Sequence, residues 1–340
     1  MSENPKLCGL QSLRGIAAFA VLFQHVTFYS TNAKGIDYLP FLRIDFGRFG
    51  VGLFFVISGF VMAGCLSQGR RFLLNRVVRI YPGFWLSVLA SCLLLSSPSF
   101  GWTFDWASLF LVPSVLNNSY RVPYWTLIYE MAFYVATYAI IITGASRATV
   151  AKAYVAWLVA VIVVTKYNTI PLFEPGSWVL LSRMNVYFIF GMLMGLHSAE
   201  VAKVPSMIIA VGAVVLWCIG DSLAAIAPLP ADLMLALAFC GVVLFGVRHL
   251  KVAALEKIGD ASFGIYLLHV PIAVLAIHFV SEHVPTVGLF ELWLSTMAVA
   301  FGGSLVFGLL ETKMHTWLKR TFQTRKIDRV VHGSTVDGRL

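Results

Sequence analysis

The chain of 340 residues is 59% hydrophobic and only 12% charged, with a mean hydropathy of +0.83. A soluble domain carries about 25% charged residues, so half of the charge that keeps a protein surface in water is missing here. The net charge of +9 sits in short loops between apolar runs, where membrane orientation and anionic head groups account for it. No interleaved basic and aromatic patch tracks a nucleic-acid backbone.

Apolar runs of spanning length, about 20 residues, recur at 9–30, 47–66, 82–98, 124–143, 152–166, 179–197, 206–220, 231–247, 261–280 and 287–310. The backbone in lipid must be helical or a closed barrel, and these runs lack the alternation of barrel strands. The fold class is therefore an all-α polytopic membrane protein with about ten transmembrane helices. One membrane domain covers 1–312, and a basic cytoplasmic tail covers 313–340. The fifth and seventh runs are short, and Asp221 to Asp232 reads as a loop or a re-entrant piece. Orientation follows from the cations. With the N-terminus inside, the inner loops and tail hold 18 Lys and Arg against six outside (Lys34, Arg43, Arg48, Arg121, Lys166, Arg183). Both termini are then cytoplasmic, and the first run reads as a span rather than a cleavable signal peptide.

Ionisable groups inside a span are rare enough to be functional candidates. In the first span Arg14 and His25 are eleven residues apart, three helical turns plus about 20°, so they share a face about 16 Å apart along the axis. Arg14 is expected near the cytoplasmic entrance and His25 in the outer half. The structural alternative is a snorkelling arginine and a packing histidine. In the second span Ser58, within Phe54-Phe-Val-Ile-Ser-Gly-Phe60, reads as a small residue at a helix contact. The following loop holds Arg70, Arg71, Arg76 and Arg79 before Pro82, which suits the first turn of a new span. Arg76 and Arg79 are neighbours on one helical face, and guanidinium groups bind phosphate bidentately, so the pair is a candidate clamp for a nucleotide-like donor. Ordinary charge bias of inner loops explains the same arginines.

The fourth span opens Tyr124-Trp125-Thr126-Leu-Ile-Tyr-Glu130. Counted inward from the outer surface, Glu130 falls at the depth of His25, where a carboxylate would orient an imidazole. A structural ion pair with Arg183 is the alternative. His269 precedes Pro271 in the ninth span, as a cavity-lining group or a hydrogen bond between helices. Cys8, Cys65, Cys92, Cys218 and Cys240 have no metal-type spacing and read as buried apolar residues, so no metal site is expected.

Taken together, Leu10-Gln-Ser-Leu-Arg14 through His25, the 54–60 run, Asn75-Arg76-Val-Val-Arg79-Ile-Tyr-Pro82, Trp125-Thr-Leu-Ile-Tyr-Glu130 with Phe133-Tyr134, and Ser262 to Pro271 with His269 resemble the acyltransferase-3 family of integral membrane acyltransferases. Thr126 stands where members often carry Ser, which keeps the hydroxyl. The resemblance implies a ten-helix domain of the bacterial inner membrane. Its donor substrate would be acetyl-CoA or another acyl-CoA, with no tightly bound cofactor. The acceptor would be a hydroxyl of O-antigen, exopolysaccharide, peptidoglycan or a lipid-linked glycan. No attached hydrolase-like domain is seen, so the chain is expected to act alone or with polysaccharide-assembly proteins. On this reading Arg14, Arg76 and Arg79 hold the donor's phosphates, and His25 serves as general base or acyl carrier with Glu130 fixing its tautomer. An imidazole, with an ordinary pKa of about 6.5, suits either role. Ser58, Tyr124, Trp125, Thr126 and His269 are candidate cavity-lining residues. A transporter or flippase of lipid-linked sugars is the competing class; it predicts two-fold repeats with broken helices, and the sequence has no evident repeat.

Overall fold

A computed structural model describes residues 5–96, 103–113, 120–172 and 176–333. Each of the ten apolar runs is built around a helix, and no strand occurs among the described residues. In chain order these are α1 (Pro5–Ala33), α2 (Phe46–Ala63), α3 (Arg71–Leu94), a short α4 (Trp106–Leu109), α5 (Trp125–Ile141), α6 (Arg147–Tyr167) and α7 (Asn185–Leu196). They continue with a short α8 (Ser198–Val201), α9 (Ser206–Leu223), α10 (Pro228–His249), α11 (Ala253–Asp260), α12 (Ser262–His283) and α13 (Leu289–Gly333). Seven of these, α2, α3, α6, α9, α10, α12 and α13, are long and apolar enough to cross a membrane. Helix α1 has 29 residues but carries Gln11, Arg14, Gln24 and His25, whereas α5 and α7 have only 17 and 12 residues.

Several boundaries differ from expectation for physical reasons. Helix α3 begins at Arg71, so Pro82 lies inside it rather than in its first turn. Arginine is a good helix former, and the basic stretch is the leading part of a helix, not a loop. The sixth predicted run, 179–197, starts before α7 because Gly176–Leu181 forms a 3-10 turn. Asp221 to Asp232 is no re-entrant piece: α9 runs to Leu223, and α10 starts at Pro228 with proline in its first turn. Helix α13 continues past position 312 without a break.

Helix α1 packs against α2, α10, α11, α12 and α13. At the other extreme, the apolar windows of α6 and α9 are only 17% and 11% buried. Their exposed faces, including Met207, Ile208, Val211, Val214 and Val215 on α9, have no protein to cover them and match a lipid surface. Cys218 is exposed on the same helix, and Cys8, Cys65 and Cys92 are half-buried, so of the five cysteines expected inside only Cys240 is buried.

Where helices meet closely, small residues permit it. A Cβ on Gly59 would lie 2.1 Å from the Phe188 carbonyl, and one on Gly191 would lie 2.1 Å from the Val56 carbonyl, so α2 and α7 touch backbone to backbone. A further crosslink is ionic. Asp232, 1% exposed, receives Arg48 Nη2 at 2.7 Å and Arg183 Nη1 at 2.5 Å, and Tyr187 donates its hydroxyl at 2.5 Å. One carboxylate thus ties α2, α7, α10 and the residue leading into α7 at one end of the bundle.

Candidate active site

A cavity of about 260 Å³ opens between α1, α2, α3, α5 and α12. Its polar wall is Gln11 and Arg14 from α1, Ser58 from α2, Arg76 and Arg79 from α3, Thr126, Glu130 and Tyr134 from α5, and Ser262 and Tyr266 from α12. Apolar side chains, among them Val51, Phe54, Phe55, Leu127 and Phe263, complete it. The mix of an apolar body with a few convergent polar groups is that of a small-molecule site.

Each arginine is held differently. Arg14 donates to Gln11 Oε1 at 3.3 Å, and Gln11 donates to Asp260 Oδ1 at 2.7 Å. This chain is set by the contact of α1 with α11, where a Cβ on Gly259 would lie 1.8 Å from the Gln11 carbonyl. Arg79 pairs with Glu311 Oε1 at 2.6 Å and lies over the Phe263 ring at 4.8 Å. Among the described residues Arg76 makes no ion pair. Its guanidinium lies between the rings of Phe72 and Tyr134 at 5.5 and 5.7 Å, donates to the Cys65 sulfur at 3.3 Å, and has a buried Nε without a hydrogen-bond partner. An orphan buried donor on a guanidinium at a cavity wall is suited to an anion.

Glu130 accepts a hydrogen bond from Tyr134 within this cavity. The expected contacts with His25 and with Arg183 are not made; Arg183 belongs to the Asp232 crosslink. Tyr120, Val122 and Tyr124, which lead into α5, are at most 2% exposed. That approach is pinned to α3 and α4: Ser91 donates to the Tyr120 carbonyl at 2.7 Å, and Tyr124 donates to Ser108 Oγ at 2.8 Å. In this loop the Ser108 hydroxyl, aided by the amides of Ser108 and Ala107, holds the Asp105 carboxyl below its ordinary range against partial burial.

His25 meets a different partner. Its Nδ1 lies 2.8 Å from Nε2 of His269, and Nδ1 of His269 lies 3.0 Å from the Ile265 carbonyl. His269 is fully buried and His25 is half-buried beside the Tyr29 ring. The pair does not line the cavity. Tyr266 stands between them: it faces the cavity, its hydroxyl accepts from Thr126 at 2.8 Å, and its ring is 6.0 Å from that of His269.

Of the sequence candidates, Arg14, Ser58, Arg76, Arg79, Thr126 and Glu130 therefore share one cavity, and His25 and His269 form a separate pair behind it. Tyr124 and Trp125 lie outside the cavity wall. Gln11, Tyr134, Tyr266 and Glu311 belong to the site and were not singled out. Glu311 carried a readable signal, a carboxylate one residue beyond the expected end of the last span.

A family model described as "Acyltransferase domain" matches residues 9–310. The exopolysaccharide production protein ExoZ of Rhizobium meliloti (strain 1021) is 30% identical over 250 residues, 66% of this chain and 75% of that protein. No solved structure matches.

Proposed function

The chain belongs to this acyltransferase family, and we propose that it moves an acyl group, acetyl first, from acyl-coenzyme A to a hydroxyl of an exported polysaccharide. The polysaccharide is favoured as acceptor because the similar protein from Rhizobium meliloti is named for exopolysaccharide production. The observation that carries the donor assignment is the gathering of Arg14, Arg76 and Arg79 in one cavity. Phosphates would sit at its mouth against Arg14 and Arg76. Arg79, already paired with Glu311, would contribute its remaining donors.

The thioester arm would extend past Thr126 and Tyr266 toward His25. There the acceptor hydroxyl gives its proton to the imidazole as its oxygen attacks the thioester carbonyl. The carbon–sulfur bond breaks and the proton passes to the departing thiolate, so thioester and alcohol become ester and thiol. An acyl-histidine intermediate needs the same bare nitrogen. Glu130, hydrogen-bonded to Tyr134 in the cavity, is assigned to the donor side rather than to the imidazole.

In the membrane, the ten helices built on the apolar runs all cross the cytoplasmic membrane and both termini are cytoplasmic, in line with the cation asymmetry. At 29 residues, α1 spans about 43 Å, ample for the bilayer. The short α5 and α7 are largely covered by protein, where broken spans are tolerated. This puts the arginine cavity on the side of soluble acyl-coenzyme A and His25 toward the exported glycan. Purified protein in nanodiscs should consume labelled acetyl-coenzyme A only when polysaccharide is added, and should lose that activity in Arg14→Gln/Arg76→Gln. Glycan flipping without donor consumption would sink the proposal.

A further inference from the structure

Glu130 makes no contact with His25, so another group must set the state of that imidazole, and we infer that it is His269. This rests on the proposed role of His25 in transfer. The geometry determines the tautomers. The Ile265 carbonyl can only accept, so Nδ1 of His269, 3.0 Å away, carries a proton and donates it. His269 is fully buried, and among the described residues no carboxylate touches either ring, so the pair is neutral at rest. A neutral His269 protonated at Nδ1 has a bare Nε2. His25 Nδ1, 2.8 Å from that nitrogen, must then be the donor. His25 is left with its proton on Nδ1 and its lone pair on Nε2, the state that a general base or a nucleophile requires.

The arrangement performs the work of a triad's orienting acid without a carboxylate. Backbone carbonyl, buried imidazole and reactive imidazole form a chain in which each member fixes the next. As His25 Nε2 takes the hydroxyl proton, the ring becomes a cation and its bond to His269 becomes charge-assisted and stronger. The proton leaves again from the same Nε2 to the thiolate, so His269 exchanges nothing with substrate. It is a positioning residue.

The test combines kinetics with the nitrogen-15 spectrum of histidine-labelled protein in lipid, the His25 signal being identified by its loss in His25→Ala. The wild type should show His25 protonated at Nδ1. His269→Leu, which removes the acceptor, should shift His25 toward the Nε2-protonated tautomer. It should also lower kcat by on the order of 100-fold or more at an unchanged KM for acetyl-coenzyme A. His269→Gln, whose side-chain oxygen still accepts, should keep the Nδ1 tautomer and recover much of kcat. A wild-type His25 protonated at Nε2, or a His269→Leu protein with the wild-type tautomer and kcat, overturns the inference. The wild-type spectrum alone decides the tautomer if a variant does not fold. Transfer surviving in His25→Ala would instead overturn the role of His25 itself, whatever the spectrum shows.

Discussion

Arg79 Nη1 lies 2.6 Å from Glu311 Oε1, joining α3 to the last helix across 232 residues of chain. Glu311 is 1% exposed and its second oxygen has no hydrogen-bond partner. The pair therefore bears on stability. Breaking a buried pair by removing one partner costs about 3–5 kcal/mol, whereas replacing both with apolar groups is often neutral. Arg79→Ala should lower the unfolding temperature in detergent markedly, and Arg79→Met/Glu311→Met should restore most of it. Equal stability of Arg79→Ala and the wild type would show that the pair contributes nothing.

Arg76 should behave in the opposite way. Among the described residues it has no carboxylate partner to strand, so Arg76→Gln should leave the unfolding temperature close to that of the wild type. The KM for acetyl-coenzyme A should rise roughly 10- to 100-fold, because a hydrogen bond to a charged group contributes about 1.5–3 kcal/mol. Arg76→Lys keeps the charge but loses the planar fork and should recover only part. Steady-state kinetics at two salt concentrations checks this, since the wild-type KM should climb with ionic strength.

Asp232 lies at the end of the bundle away from the cavity, between Arg48 and Arg183. Asp232→Asn leaves two guanidinium groups facing each other over a neutral amide. A loss of about 3–5 kcal/mol of stability is expected, with the KM for donor unchanged in the folded fraction. Thermal unfolding and donor kinetics on the same preparation separate the two effects.

Neighbouring positions on α2 should respond differently. Gly59→Ala drives a methyl group to 2.1 Å from the Phe188 carbonyl, and overpacking of this kind costs about 1–3 kcal/mol. Ser58→Ala, one residue earlier on the cavity wall, should keep the unfolding temperature and alter donor kinetics instead. Comparable unfolding temperatures for the two variants would contradict the packing.

Much of this was legible in one sequence, for physical reasons. Lipid leaves the backbone no option but helix, so apolar length locates the ten segments even where a boundary slips, as at Arg71 and Asn185. Intramembrane charge pointed to Arg14, His25, Glu130 and His269 because each is costly in lipid without a partner. What could not be read was who meets whom. Glu130 was paired with His25 by counted depth alone, whereas the partner it meets is Tyr134 on its own helix. His25 and His269 are 244 residues apart, and no local pattern joins them. Ser58 read as a packing residue from its local run and as a cavity-lining one from the family resemblance; Gly59 makes the helix contact and Ser58 faces the cavity.

The most direct measurement is transfer of label from acetyl-coenzyme A to exported polysaccharide by the protein in nanodiscs, compared with His25→Ala of the same thermal stability. Label on the glycan with the wild type, reduced to background in the variant, is the predicted result. Equal transfer by both proteins would contradict the central role of His25.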